Sequence, residues 1–174
     1  RAPTRSIFDC KIKLFSTDDS IYNRLMTYSS PRFSLEQALA SAQRTFMTEI
    51  AALSDLADRL GDDFYAATQS ILQCKGRIVV TGIGKSGHIG RKIAATFSST
   101  GTPAFFMHAA EALHGDLGMV TKDDVLIAIS YSGAASELLT IFSATKRLGC
   151  PLIAITGNPT SELAKNADLH LNVQ

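Results

Sequence analysis

The sequence is short of the features that mark several large classes of protein. Its three cysteines, Cys10, Cys74 and Cys150, are far apart and form no CxxC pair, which is typical of free thiols in a reducing compartment and predicts a cytoplasmic protein. A formal net charge of +1 and the absence of a basic stripe argue against a nucleic-acid partner. No apolar run reaches membrane-spanning length, so we expect no membrane partner.

The composition is that of an ordinary globular domain. The chain has 174 residues, of which 45% are hydrophobic and 19% charged, enough for one domain with a sizeable core. Residues 1–33 mix basic residues and serines with Asp9, Asp18 and Asp19, and such acids are unusual in a transit peptide. We therefore expect residues 1–33 to be a leader or a poorly ordered extension, and residues 34–174 to form the domain.

Helical periodicity opens the predicted domain. Ser34 is a candidate N-cap, followed by apolar residues at helical spacing until Gly61, which is a natural stop. A second helix is expected over residues 63–73.

Beyond residue 76, short apolar runs alternate with helical patterns. Such alternation predicts an α/β fold, namely a three-layer, doubly wound, five-stranded parallel sheet preceded by N-terminal helices. Ligands of these sheets bind outside the carboxyl ends of the strands, near the point where the strand order reverses. The predicted strands cover residues 77–81, 104–107, 125–130, 152–156 and 169–173.

A glycine-rich loop follows the first predicted strand. It reads Gly82-Ile-Gly-Lys-Ser-Gly87, and Gly84, Lys85 and Ser86 are candidates to bind a phosphate at the start of the next helix. A Walker A motif is excluded because Val79 stands where its first glycine is required. Dinucleotide binding requires an acidic residue at the end of the second strand, and this sequence has no acidic residue there before Glu111. It remains an alternative, as does a tight turn with no ligand.

A second polar loop follows the third predicted strand. It reads Ser130-Tyr-Ser-Gly-Ala-Ala-Ser136, and its hydroxyls and helix N-terminal amides suit the oxygens of a phosphate. The candidates are Ser130, Ser132, Gly133 and Ser136, with helix capping by Ser132 as the alternative. The adjacent Glu137 is either a general base or a carboxylate favoured by the helix dipole.

Titratable residues collect in one further segment. His108, Glu111 and His114 are spaced by three, so on a helix they would spread over about 120°, a poor arrangement for one compact metal site. Three interpretations stay open: a zinc site with open positions, histidines that hydrogen-bond a sugar, and structural histidines. We expect His88 on a first helical turn and His170 to be structural.

Several motifs together resemble the SIS (sugar isomerase) domain of bacterial D-arabinose 5-phosphate isomerases. The similarity runs over residues 34–174, with the motifs in the family's order and spacing. The motifs are Gly82–Gly87, His88-Ile-Gly-Arg-Lys92, Ser98-Ser-Thr-Gly-Thr-Pro103, Glu111-Ala-Leu-His-Gly-Asp-Leu-Gly-Met-Val120, Ile129-Ser-Tyr-Ser-Gly133 and Ile155-Thr-Gly-Asn-Pro159.

The resemblance implies interconversion of D-ribulose 5-phosphate and D-arabinose 5-phosphate, which supplies Kdo for lipopolysaccharide, by a homotetramer. It implies functional roles for Lys85, Glu137 and His114, and substrate contacts for Gly101 and Thr102. His108 would bind substrate and also zinc, inhibitory or structural, while no cofactor is required.

The chain departs from the family at Tyr131, where asparagine is usual. The family also continues past the position of Gln174 with a further catalytic glutamate and histidine, then two CBS modules. We therefore expect an SIS domain that is incomplete at its C-terminus. The rival interpretation is a non-catalytic SIS module that senses a sugar phosphate or a nucleotide sugar.

Overall fold

In the computed structural model, which describes residues 34–174, the first helix begins at a reciprocal cap. The Gln37 N–H donates to Ser34 Oγ at 3.1 Å, and the Ser34 N–H donates to Gln37 Oε1 at 2.9 Å. This pairing confirms Ser34 as the N-cap of α1 (Leu35–Asp58), because it satisfies amides that have no partner inside the helix. The described chain divides after Ala51 into two units. The predicted extension over residues 1–33 lies outside the described residues.

Five parallel strands form one sheet in the order β2-β1-β3-β4-β5. Every neighbouring pair runs parallel, so the predicted sheet is confirmed. The strand order reverses between β1 and β3, which makes that junction the topological switch point. The strands are β1 (Ile78–Gly82), β2 (Ala104–His108), β3 (Val125–Ile129), β4 (Leu152–Thr156) and β5 (Leu169–Asn172).

Helices cover both faces of this sheet. Alternate residues of β1 point to opposite faces: Val79 packs in the cluster that contains Leu138 and Ile141, and Val80 in the cluster that contains Ala67 and Ala94. Two apolar clusters on either side of a sheet give the three layers that the sequence predicts. The remaining helices are α2 (Asp62–Leu72), α3 (Gly84–Ser99), α4 (Ala109–Ala112), α5 (Ser136–Leu148) and α6 (Glu162–Asn166). A 3₁₀ helix at Asp116–Met119 is absent from the sequence prediction.

A buried carboxylate stabilises the amino edge of the sheet. Asp124 is 2% exposed, and its oxygens accept hydrogen bonds from the Arg77 and Thr121 N–H groups, both at 2.7 Å. The Arg77 guanidinium lies 3.8 Å from the same carboxylate. This network fixes the entrances to β1 and β3, the two strands that flank the switch point.

None of the helices within residues 34–174 combines the length and the apolar character that crossing a bilayer requires.

Candidate functional site

A cleft of about 410 Å³ lies at the switch point, outside the carboxyl ends of β1 and β3. This is the position at which doubly wound sheets bind their ligands. One wall comes from the loop after β1 and the other from the loop after β3, as the sequence predicts. The lining residues are Ile83, Lys85, Ser86, Ile129, Ser130, Tyr131, Ser132, Ala135 and Leu138.

A larger cavity of about 550 Å³ lies beside β5. Its walls include Leu60, Phe64 and Leu171, and it contains none of the predicted catalytic or phosphate-binding residues. We therefore assign the functional site to the smaller cleft, where the polar groups converge.

The glycine-rich loop supplies the cleft with close-packed backbone and with the Lys85 ammonium group. A Cβ on Gly82 would lie 3.0 Å from the Ile129 carbonyl oxygen, so only glycine lets β1 end this close to β3. Gly84 adopts a φ of 57°, a left-handed conformation that glycine takes without strain. Lys85 follows on the first turn of α3 and is exposed. In the described part of the chain no carboxylate lies within 4.0 Å of its ammonium.

The second loop is held by its own serines. The Gly133 N–H donates to Ser130 Oγ at 3.2 Å, and Ser130 is only 7% exposed. Ser132 is exposed, and its Oγ accepts from the Ala134 N–H at 3.4 Å. Since α5 starts later, with Ala135 at the N-cap position and no side-chain cap, Ser132 is not a helix cap. The capping alternative is therefore wrong, and Ser132 is one of the residues that line the cleft.

The two helices that begin at the cleft both lack a side-chain cap. No side chain accepts a hydrogen bond at the N-terminus of α3 or of α5. By contrast, α1, α4 and α6 are capped by Ser34, His108 and Ser161, while α2 begins uncapped at Gly61, outside the cleft. First-turn amides and aligned helix dipoles attract anions. Together with Lys85, they make the cleft a candidate anion site.

Glu137 lies on the first turn of α5, two residues after the cleft residue Ala135. It is half-buried, and its Oε2 accepts a hydrogen bond from the Ser136 hydroxyl at 3.1 Å. Neither side chain lines the cleft itself. The structure thus places the predicted carboxylate beside the anion site, within one helical turn.

His108 ends β2, and its Cα is paired with that of Gly82 at the start of the glycine-rich loop. Its Nδ1 accepts from the Ala110 N–H at 3.2 Å, which leaves Nε2 as the ring nitrogen available to a ligand. His114 is exposed in the turn after α4. Because α4 packs in the same apolar cluster as α5, His114 lies on the same face of the sheet as Glu137.

The described residues do not supply a zinc site. Among residues 34–174, no group of three or more His, Cys, Asp or Glu side chains is placed to hold a metal ion. His108, Glu111 and His114 therefore do not form the ligand set that a bound zinc would need. A zinc contact through His108 stays a prediction.

Gly101 and Thr102 lie away from the cleft of their own chain. They precede β2 and follow α3, and the Thr102 N–H donates to the Phe97 carbonyl at 2.9 Å. This is the amino edge of the sheet, about 15 Å from the carboxyl edge across a strand of five residues. Their substrate contact stays a prediction. His170 hydrogen-bonds Thr156 at 2.8 Å, in keeping with its predicted structural role. His88 is exposed and lies on the second turn of α3 instead of the first, because α3 begins already at Gly84.

The sequence prediction missed several residues that line the cleft. Ile83, Ala135 and Leu138 are apolar and carry no chemical signal, although each flanks a predicted polar residue. Tyr131, which the sequence marks as a departure from the family in the second polar loop, is 67% exposed and also lines the cleft.

Comparisons with known proteins agree on one family and one fold. The SIS domain family matches residues 71–174. The chain is 57% identical over 132 residues to the arabinose 5-phosphate isomerase KdsD of Pseudomonas aeruginosa, covering 76% of this chain and 40% of that protein. It is 54% identical over 138 residues to the arabinose 5-phosphate isomerase GutQ of Escherichia coli K12, covering 79% of this chain and 43% of that protein.

A solved structure matches as well. The Escherichia coli CFT073 protein c3406, solved in complex with arabinose 5-phosphate, has a TM-score of 0.77 and 40% identity, over 81% of this chain and 75% of that chain. This chain spans about two fifths of the length of the curated relatives it matches. The family match covers more than half of the chain, with the cleft inside it, and we conclude that the chain belongs to the SIS domain family.

Proposed function

We propose that the protein containing this chain is an arabinose 5-phosphate isomerase, which interconverts D-ribulose 5-phosphate and D-arabinose 5-phosphate. The observation that carries the proposal is the cleft, where Lys85 meets the uncapped N-termini of α3 and α5. The identity of 57% to a relative of that name supports the choice of substrate.

The phosphate binds between the two loops. Amides from the first turns of α3 and α5 and the hydroxyls of Ser130 and Ser132 surround its oxygens, and Lys85 neutralises part of its charge. Ser136 contributes as a first-turn residue of α5, since its hydroxyl donates to Glu137 outside the cleft. The buried Ser130 also holds Gly133 in position, so the loop keeps its shape when the site is empty. A preformed site of this kind spends little free energy on ordering when it binds.

The chemical step is a proton transfer along the sugar chain. A carboxylate takes the proton from C2 of the aldose, giving a cis-enediolate with its charge on the C1 oxygen. A proton passes from the C2 hydroxyl to the C1 oxygen, and the carboxylic acid returns its proton to C1 to form the ketose. Glu137 is the candidate base in this chain, since it lies beside the anion site on α5. Lys85 or His114 stabilises the negative charge that develops on the enediolate oxygen. A glutamate beyond Gln174 is the alternative base.

The setting of the reaction follows from the same proposal. Arabinose 5-phosphate supplies Kdo, and hence lipopolysaccharide, in the cytoplasm. The cysteines of the described residues, Cys74 and Cys150, are free thiols, which suits a reducing compartment.

We also propose that the protein is a homotetramer that associates through α1. Leu39 and Phe46 are seven residues apart, so they share one face of the helix, and they are 55% and 64% exposed. No residue of α1 is buried. Large apolar side chains that remain exposed along one helix face are typical of an interface.

The test is an isomerisation assay with ribulose 5-phosphate. Lys85→Ala and Glu137→Gln should each lower kcat/KM by at least about a hundredfold, because each removes a group that stabilises the transition state. The matched controls are Lys75→Ala, at the opposite edge of the sheet, and Glu162→Gln, on the first turn of α6. Both should keep the wild-type rate.

One outcome would contradict the role of Glu137 and another the isomerase activity itself. Full activity of Glu137→Gln would remove Glu137 from the chemistry and leave the downstream glutamate as the base. Binding of the sugar phosphate without any turnover by the full-length protein would favour the sensor module instead.

A further inference from the structure

Tyr131 is a large aromatic residue among small ones, at the end of a buried strand. It follows the buried Ser130 directly, lines the cleft, and is 67% exposed. An exposed aromatic side chain in this position has no role in the core, since both apolar clusters are complete without it. Its role is therefore to be sought in the cleft.

The ring of Tyr131 is held in place by Gly157, the first residue after β4. A Cβ on Gly157 would lie 2.5 Å from Tyr131 Cε2 and 2.7 Å from Cζ, so the ring occupies the space of the missing side chain. Gly157 has no positive φ, and its lack of a side chain is needed only for this contact. The Gly157 N–H also donates to the Tyr131 carbonyl at 2.9 Å, which ties the two loops together.

The strand order sets Tyr131 opposite Lys85. Lys85 follows β1 and the ring covers the end of β4, with β3 between them. Two strand spacings separate β1 from β4, roughly 10 Å, which is comparable to the length of an extended five-carbon sugar phosphate. Ser130 and Ser132 follow β3, the strand between β1 and β4, and line the same cleft.

We propose that Tyr131 is a specificity-determining residue that contacts the sugar portion of the ligand while the opposite side of the cleft holds the phosphate. This inference rests on the proposed function, because it takes the bound anion to be the phosphate of a sugar phosphate. A phenol carries no positive charge for a phosphate. Its ring face packs against the C–H groups of a sugar, and its hydroxyl both donates to and accepts from sugar hydroxyls.

The experiment compares two ligands, arabinose 5-phosphate and inorganic phosphate, by titration calorimetry. Tyr131→Ala should lower the affinity for arabinose 5-phosphate by about tenfold, since it removes a hydrogen bond and a packing surface. The affinity for inorganic phosphate should change by less than about twofold. Tyr131→Phe keeps the ring on Gly157 and should give a smaller loss for the sugar phosphate alone. Gly157→Ala displaces the ring and should reproduce the effect of Tyr131→Ala.

The matched control is Tyr65→Ala, a tyrosine on α2 that is 65% exposed and does not line the cleft. It should change neither affinity. Equal losses for both ligands in Tyr131→Ala would mean that the residue only shapes the loop, and no loss for either would mean that the ring does not reach the ligand. Both results overturn the inference. Failure of the wild-type protein to bind inorganic phosphate and the sugar phosphate would instead overturn the proposed function.

Discussion

At the scale of single residues, Asp124 shows how one buried charge can order a sheet edge. It accepts hydrogen bonds from the Arg77 N–H and from the N–H and hydroxyl of Thr121. Its removal would leave these donors without a partner in a buried position, and such losses are larger than the net value of a hydrogen bond.

We expect Asp124→Ala to lower the free energy of unfolding by about 2–4 kcal/mol. Urea denaturation of the purified protein measures it. The control is Asp123→Ala, the exposed neighbour, which should cost less than about 0.5 kcal/mol. Equal effects of the two variants would show that the hydrogen bonds of Asp124 do not stabilise the sheet edge.

The Cys150 thiol makes the free energy of unfolding depend on pH, and its surroundings set the sign of that dependence. Burial, and then the nearby Asp124 carboxylate, raise the pKa of the Cys150 thiol from 9.0 to about 11. The folded state therefore favours the protonated thiol. Its contribution to stability is complete below pH 9, where the unfolded thiol is also protonated, and is lost as the pH rises from 9 to about 11.

Between pH 9 and about 11, we expect the free energy of unfolding of the wild-type protein to fall by up to roughly 3 kcal/mol more than that of Cys150→Ala. Denaturation curves at pH 8, 9, 10 and 11 under reducing conditions provide the comparison. Parallel curves for the two proteins would mean that the thiol titrates alike in the folded and unfolded chains.

At the scale of elements, the starts of α3 and α5 differ from those of their neighbours. Both begin at the cleft without a side-chain cap, whereas α6, which begins near Gly133, is capped by Ser161. An unpaired helix N-terminus is less stable than a capped one. We interpret the missing caps as the stability cost of leaving amides open to a ligand.

Ser136→Asp tests whether the N-terminus of α5 binds the phosphate. The new carboxylate is favoured by the helix dipole and should not lower the melting temperature. The substitution should lower the affinity for inorganic phosphate by at least about tenfold, because the carboxylate competes for the same amides and repels the anion. The control, Ser143→Asp, places the same charge two turns further along α5 and should alter phosphate affinity by less than about twofold. Unchanged binding in Ser136→Asp would exclude α5 from the site.

Most element boundaries were predicted to within one or two residues, for reasons that are local. The strands are short apolar runs, fully buried in β1 and β3, and glycines or proline separate most of them from the helices. The two polar loops end differently: helix α5 starts at Ser136, three residues after Gly133 adopts a φ of 63°, whereas α3 starts at Gly84, inside the glycine-rich loop. The 3₁₀ helix at Asp116–Met119 was missed because it follows no helical periodicity.

At the scale of the whole molecule, the exposed face of α1 predicts self-association. Phe46→Glu places a charge on that face and should shift the mass measured by light scattering from the tetramer towards the monomer, since burying an unpaired charge is costly. The control, Thr48→Glu, adds the same charge about 200° around the helix and should keep the tetramer. A wild-type protein that runs as a monomer would contradict the proposed assembly.

The sequence by itself determined the α/β class and the two polar loops that line the cleft, because these depend on short-range patterns and on motifs that keep their spacing. Only the tertiary structure decided which of those residues meet. Parallel pairing brings Lys85 and Ser130 to one edge of the sheet, leaves Gly101 and Thr102 at the other edge, and places the Tyr131 ring over Gly157. Such proximities arise from strand order and register, which join residues far apart in the chain and leave no mark in the local sequence.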